Sequence, residues 1–147
     1  MEFIVKRFDE LSTTELFDIL RARSDVFIVE QTCPYRDIDE LDLETLHVFS
    51  YVDGKISAYA RILRDEASAR FGRFLVLPSF RGAGLGRMLA LFLLAEIGRR
   101  FPGVPVDISA QSYLVPFYRS LGFSPVSDPY DDVGIEHVDM RLTGGTL

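Results

Sequence analysis

The sequence is poor in cysteine: Cys33 stands alone, so no intramolecular disulfide can form and a cysteine-rich zinc site is excluded. A small, partly buried thiol is its expected role, since nothing nearby in the chain would activate it. Positive charge is also scarce. A formal net charge of −6 argues against nucleic acid as a partner, because phosphate binding wants a basic face. No apolar run approaches a membrane span; the longest, Met88 to Ala95, has the length and pattern of a buried helix. The start, Met1-Glu2-Phe3-Ile4-Val5-Lys6, lacks the basic patch and apolar stretch of a secretory signal, so the cytoplasm is the expected compartment. Repeats and low-complexity linkers are missing too, and residues 1–147 read as one domain. What is present in quantity is hydrophobic side chain, at 48%, enough for one core.

Along the chain, Phe3-Ile4-Val5 reads as a short strand, and Ser12-Thr13-Thr14-Glu15 matches a helix capping box. Leu16, Ile19, Leu20 and Phe27 follow at helical spacing, so a helix is expected toward Val26, with Pro34 ending any continuation. An acidic loop, Asp37 to Glu44, comes next; it reads as a solvated surface or, with Asp131, Asp132 and Glu136 near the C-terminal end, as the rim of an amine-binding cleft. Asp53-Gly54 then joins two strand-like runs, Leu46 to Val52 and Lys55 to Leu63, in a hairpin. In the second run Ile56, Ala58, Ala60 and Ile62 alternate with Ser57, Tyr59 and Arg61, which predicts one buried face. Further strands are expected over Phe71 to Leu77, Val106 to Ala110 and His137 to Leu142. Helices are expected after Gly86 and over Leu114 to Leu121. The sum is a mixed α/β domain with a largely antiparallel sheet.

The segment between the third hairpin-region strand and its helix, Arg81-Gly82-Ala83-Gly84-Leu85-Gly86-Arg87, has chemistry of its own. Its glycines allow tight curvature and expose successive backbone N–H groups beside the positive end of a helix, which is a site for an anion. Arg81 and Arg87 add bidentate donors for phosphate oxygens, so a pyrophosphate-bearing ligand is the natural occupant. A P-loop would need Lys-Ser/Thr where Arg87-Met88 stands. A dinucleotide fingerprint beginning at Gly82 would need glycine in place of Arg87, although Asp107 lies at about the distance of a ribose-binding acid.

Arg81-x-x-Gly84-x-Gly86, between a strand and a helix, resembles the Arg/Gln-x-x-Gly-x-Gly/Ala motif of the GNAT acetyltransferase superfamily. Phe117-Tyr118-Arg119-Ser120-Leu121-Gly122-Phe123 resembles that superfamily's second segment, a short helix ending in Gly-Phe. The likeness extends to the ElaA-like subgroup through Arg23-x-x-Val26-Phe27-x-Val29-Glu30-Gln31-x-Cys33-Pro34-Tyr35, Asp37-Ile38-Asp39-x-x-Asp42, His47, Ala110-Gln111-x-Tyr113-Leu114 and Gly134-Ile135-x-His137-x-x-Met140.

The resemblance implies a mostly antiparallel sheet whose two central strands splay apart to take the pantetheine arm of acetyl-CoA. Leu75, Val76 and Leu77 would then offer backbone groups to the arm, and residues Arg81, Gly82, Ala83, Gly84, Leu85, Gly86 and Arg87 would hold the pyrophosphate. Gln111 and Phe117 would face the same co-substrate, Gln111 at a place where many members carry asparagine. Tyr118 matches the family's proton donor to the departing thiolate. Glu30 and His137 are the candidate bases, with His47 third, Glu30 because partial burial would raise a carboxyl pKa. The expected activity is acetyl transfer to a small amine or amine-bearing substrate. A non-catalytic acyl-CoA sensor and a nucleotide-binding oxidoreductase are the competing readings. An edge strand near the C-terminus could pair across a homodimer.

Overall fold

The strands follow from alternation and from the turns between them. In a computed structural model, which describes residues 2–143, β1 (Ile4–Arg7) is followed by α1 (Thr13–Arg23), then β2 (Leu46–Val52), β3 (Lys55–Arg64) and β4 (Ala69–Val76). After α2 (Leu85–Arg100) come β5 (Val106–Gln111), α3 (Val115–Ser120), β6 (Ser124–Pro125), β7 (Tyr130–Asp132) and β8 (Ile135–Leu142). The order in the sheet is β1-β2-β3-β4-β5-β8-β6, with β7 also on β8. Among the described residues only β4 and β5 run parallel. The hairpin turn takes the expected form, with Asp53 and Gly54 both at positive φ (51° and 75°).

Ser12 caps α1 as expected: its hydroxyl accepts the Glu15 amide at 3.0 Å, and Glu15 Oε1 accepts the Ser12 amide at 2.9 Å. The α-helix stops at Arg23, short of the expected Val26, and the chain continues as π-helical turns over Ser24–Glu30. Widened turns of this kind cluster at functional sites.

The single buried face expected for β3 is a correction to make: Ser57, Tyr59 and Arg61 are as buried as Ala58, Ala60 and Ile62. Both faces are covered. On one side α2 and α3 pack Leu89, Leu93, Ile97 and Tyr118 against Val48, Ala60, Ile62 and Ile108. On the other, α1 and the π-helical turns after it pack Ile19, Ala22 and Val26 against Phe49, Tyr59 and Leu75. The register shifts between Ser50 and Tyr51, which leaves Ser57 as an extra residue and moves Ile56 to the α1 side.

The acidic loop is a second correction. Asp37 and Asp42 are each 5% exposed, and with Asp39 they neutralise three arginines from distant elements. Arg23, fully buried, donates Nε to Asp37 at 2.9 Å and Nη1 to Asp42 at 2.6 Å. Arg61 donates Nη1 to Asp39 at 2.7 Å and to Asp42 at 2.8 Å. Arg73 lies with Nε 2.8 Å from Asp37 Oδ1 but off the line of its N–H bond, so that contact is ionic rather than a directed hydrogen bond. Asp37, Asp39 and Asp42 are thus clamped to the sheet and form no solvated surface, whereas Glu40 and Glu44 stay exposed.

Candidate active site

The last part of β4 departs from its parallel neighbour. The two strands pair only at Ala69↔Val106 and Arg70↔Asp107, although β4 runs on to Val76 and β5 to Gln111. A bulge helps: the β3–β4 register shifts between Tyr59 and Arg61, and Arg73 takes a φ of 48°. The gap opens into a cleft of about 1300 Å³. Its walls include Phe27, Leu75, Val76, Gln111, Phe117 and Tyr118.

At one end lies the glycine turn. Gly82 and Gly84 hold φ of 88° and 81°, a region that costs other L-residues free energy. Gly84 is the N-cap of α2 and has no side chain, so no side-chain bond caps the first turn. Gly82, Gly84, Leu85, Gly86 and Arg87 line the cleft, whereas Ala83 faces a separate shallow depression with Phe80 and Met88. Arg87 makes one long bond, Nη1 to Ser120 Oγ at 3.3 Å. Leu77 does not line the cleft; its amide is bonded to Ser57 O at 3.0 Å. Among the residues expected at the arm, Leu75 and Val76 therefore face the cleft and Leu77 does not.

At the other end the sheet face beside α1 is uncovered. Val106, Ile108 and Ala110 of β5 and Val138, Met140 and Leu142 of β8 pack into the α2–α3 core. The alternate positions Ser109, Gln111, His137 and Asp139 thus form a polar shelf along the cleft. Gln111 stands opposite His137 in the ladder and donates to Gln31 Oε1 at 3.3 Å. His137 Nδ1 lies 2.8 Å from the Ile135 carbonyl, which can only accept, so Nδ1 carries the proton and Nε2 is the basic nitrogen. Tyr130 stacks on its ring and donates to Asp139 Oδ1 at 2.6 Å. The β7–β8 turn at the rim holds Val133 at a φ of 46°, rare for a β-branched residue. The Cys33 thiol donates to the Val133 carbonyl at 3.3 Å, which ties this turn to the loop after α1.

Tyr118 is 5% exposed, its ring set among Phe71, Phe74, Phe117 and Phe123. Burial, with the neighbouring Tyr113 adding to it, raises its pKa, so the hydroxyl stays protonated at neutral pH. Glu30 sits in the opposite electrostatic situation to the one expected. Arg81 binds its carboxylate through Nη1 at 2.6 Å and Nη2 at 2.8 Å, and these bonds outweigh burial and lower its pKa. His47 is 1% exposed, between the Tyr59 hydroxyl at 2.7 Å and the Asp42 carbonyl at 2.9 Å. Burial lowers its pKa, and it does not line the cleft. Asp107 is bound bidentately by Arg141 at 2.6 and 2.9 Å and does not line the cleft.

Sequence reasoning missed the roles of Tyr130, Ser109 and Asp139 on the shelf. The signal for Ser109 and Asp139 was the alternation of β5 and β8, which places polar residues at every second position; Tyr130, on the three-residue β7, had none. The Glu30–Arg81 pairing carried no sequence signal at all.

The model of an acetyltransferase (GNAT) domain matches residues 15–144. A UPF0039 protein of Schizosaccharomyces pombe is 41% identical over 145 residues, covering 97% of each chain. ElaA of Escherichia coli is 38% identical over 136 residues, 89% of each chain. The ElaA crystal structure superposes with a TM-score of 0.91 over 96% of this chain and 99% of that one, at 36% identity. An acyl-CoA N-acyltransferase from Pseudomonas aeruginosa also gives a TM-score of 0.91 at 36% identity, over 95% of this chain and 97% of that one. With the divergent central strands and the glycine turn at their end, these likenesses identify the chain as a member of the GNAT superfamily of acyltransferases, within its ElaA-like group.

Proposed function

We propose that the protein is an acetyl-CoA-dependent N-acetyltransferase, moving an acetyl group to a primary amine by direct attack in a ternary complex. The observation that carries this reading is one cleft joining an uncapped, positively flanked helix start to a buried tyrosine and a histidine with a free basic nitrogen. The residues present fit the co-substrate. Gly82, Gly84, Leu85, Gly86 and Arg87 offer N–H groups and a guanidinium for the pyrophosphate, and the β4–β5 gap at Leu75 and Val76 admits a narrow arm. Acetyl-CoA supplies an activated thioester carbonyl.

The protein's own groups manage the protons. His137 Nε2 takes one from the attacking ammonium, directly or through water, so that nitrogen's lone pair can form the new C–N bond. As the C–S bond breaks, Tyr118 gives its proton to the thiolate, the nitrogen of the new amide sheds its second proton to solvent, and Tyr118 is reprotonated from solvent. Gln111 and Gln31 orient the acceptor on the polar shelf. Glu30 is the weaker candidate for base, because Arg81 holds its carboxylate in a bidentate pair.

Thiol release from acetyl-CoA should accelerate with at least one amine among a polyamine, an amino acid, an aminoglycoside and a peptide N-terminus. His137→Gln should then lose about 10²-fold in kcat with its KM for acetyl-CoA unchanged. Thiol release that no amine accelerates above the rate with water would contradict the reading.

A further inference from the structure

Glu30 and Arg81 are 51 residues apart in the chain and meet beside the glycine turn. Each of the three nitrogens of Arg81 donates to protein: Nε to the Val76 carbonyl at 2.8 Å, Nη1 and Nη2 to Glu30 at 2.6 and 2.8 Å. Both side chains line the cleft, 42% and 39% exposed. Arg81 is nevertheless the arginine of the phosphate-binding turn. A guanidinium fork grips two carboxylate oxygens much as it grips two phosphate oxygens. Arg87, at the other end of the turn, has among the described residues only its 3.3 Å contact with Ser120.

We infer that Glu30 stands in for the pyrophosphate: it holds Arg81 in the ligand-free protein, is expelled by the incoming diphosphate, and then offers its carboxylate to the acceptor's ammonium. The inference rests on the proposed use of a coenzyme A thioester. Two anions cannot share one guanidinium edge without repulsion, so the diphosphate and Glu30 compete. Glu30 closes the π-helical turns, next to Gln31, whose amide meets Gln111 opposite His137. A released carboxylate there stands beside the shelf where the acceptor must lose its proton. The pair therefore makes the anionic part of the acceptor site available when the co-substrate is in place.

Calorimetric titration of wild type and Glu30→Gln with coenzyme A, and with pantetheine, which lacks the diphosphate, tests this. Glu30→Gln should bind coenzyme A about fivefold more tightly and pantetheine with unchanged affinity. Its KM for the acceptor amine should rise several-fold. In an Arg81→Gln background the tightening should vanish, because no guanidinium remains to be released. Unchanged or weaker coenzyme A binding in Glu30→Gln would overturn the inference. So would tightening that persists without Arg81, which would reflect bulk repulsion instead. Failure of wild type and variant alike to bind coenzyme A would remove the functional reading itself, and the inference with it.

Discussion

Replacing Tyr118 with phenylalanine should lower kcat by about 10²- to 10³-fold and change coenzyme A affinity less than about twofold. The ring contacts with Phe71, Phe74, Phe117 and Phe123 are all available to phenylalanine, so the pocket keeps its shape. What goes is one hydroxyl, kept protonated by its burial, at the wall of the cleft. The melting temperature should stay within about 2 °C of wild type. Loss of turnover with binding and stability intact assigns the proton to Tyr118. An unchanged kcat would require another donor, and a protein that binds coenzyme A without turnover in either form would be a sensor.

Arg23→Ala should destabilise the fold by about 3–5 kcal/mol, a fall in melting temperature of about 10 °C. Arg23 is 0% exposed and bonds both carboxylates, Asp37 and Asp42, as well as the Asp37 carbonyl at 2.8 Å. Its removal leaves Asp42 with Arg61 and Asp37 with Arg73 as their remaining cations, and the loss of one of two positive partners at each buried carboxylate dominates the effect. Lysine does not restore the arrangement, because a single ammonium cannot reproduce the planar fork that reaches Asp37 and Asp42 together. The same cluster predicts the acid limb. Burial alone would raise the Asp42 carboxyl, but Arg23, then the Asp39 amide and Arg61, bring it down to about 2 from 3.8. Its contribution is therefore complete above about pH 4 and lost as the pH falls toward 2. Denaturant unfolding across that range measures it. An Arg23→Ala protein as stable as wild type would show that the loop is held by other contacts.

Features fixed by local chemistry were readable from the chain. The Ser12–Glu15 capping box, the Asp53-Gly54 turn and the glycines before α2 each need a residue type that few others replace. The acidic loop was not readable, because its partners Arg23, Arg61 and Arg73 lie on three separate elements and only the tertiary fold brings them together. For the same reason Tyr59 and Arg61 looked like a solvent face of β3, although a helix and a clamped loop bury them. Strands β6 and β7 are two and three residues long, too short for any alternation to mark them. Within the site, the turn and Tyr118 carried family motifs. The state of Glu30 depended on Arg81 across the cleft, and its local surroundings suggested a raised pKa where the structure lowers it.

The central claim is that the cleft takes a coenzyme A thioester, and thermal unfolding with acetyl-CoA, coenzyme A, NAD and ATP in parallel tests it most directly. At about 100 times its Kd a ligand adds about 2.7 kcal/mol, a rise of roughly 5–10 °C for a chain of this size. That rise is expected with acetyl-CoA and coenzyme A, and none of comparable size with NAD or ATP. Stabilisation by NAD or ATP, with both coenzyme A forms silent, would contradict it.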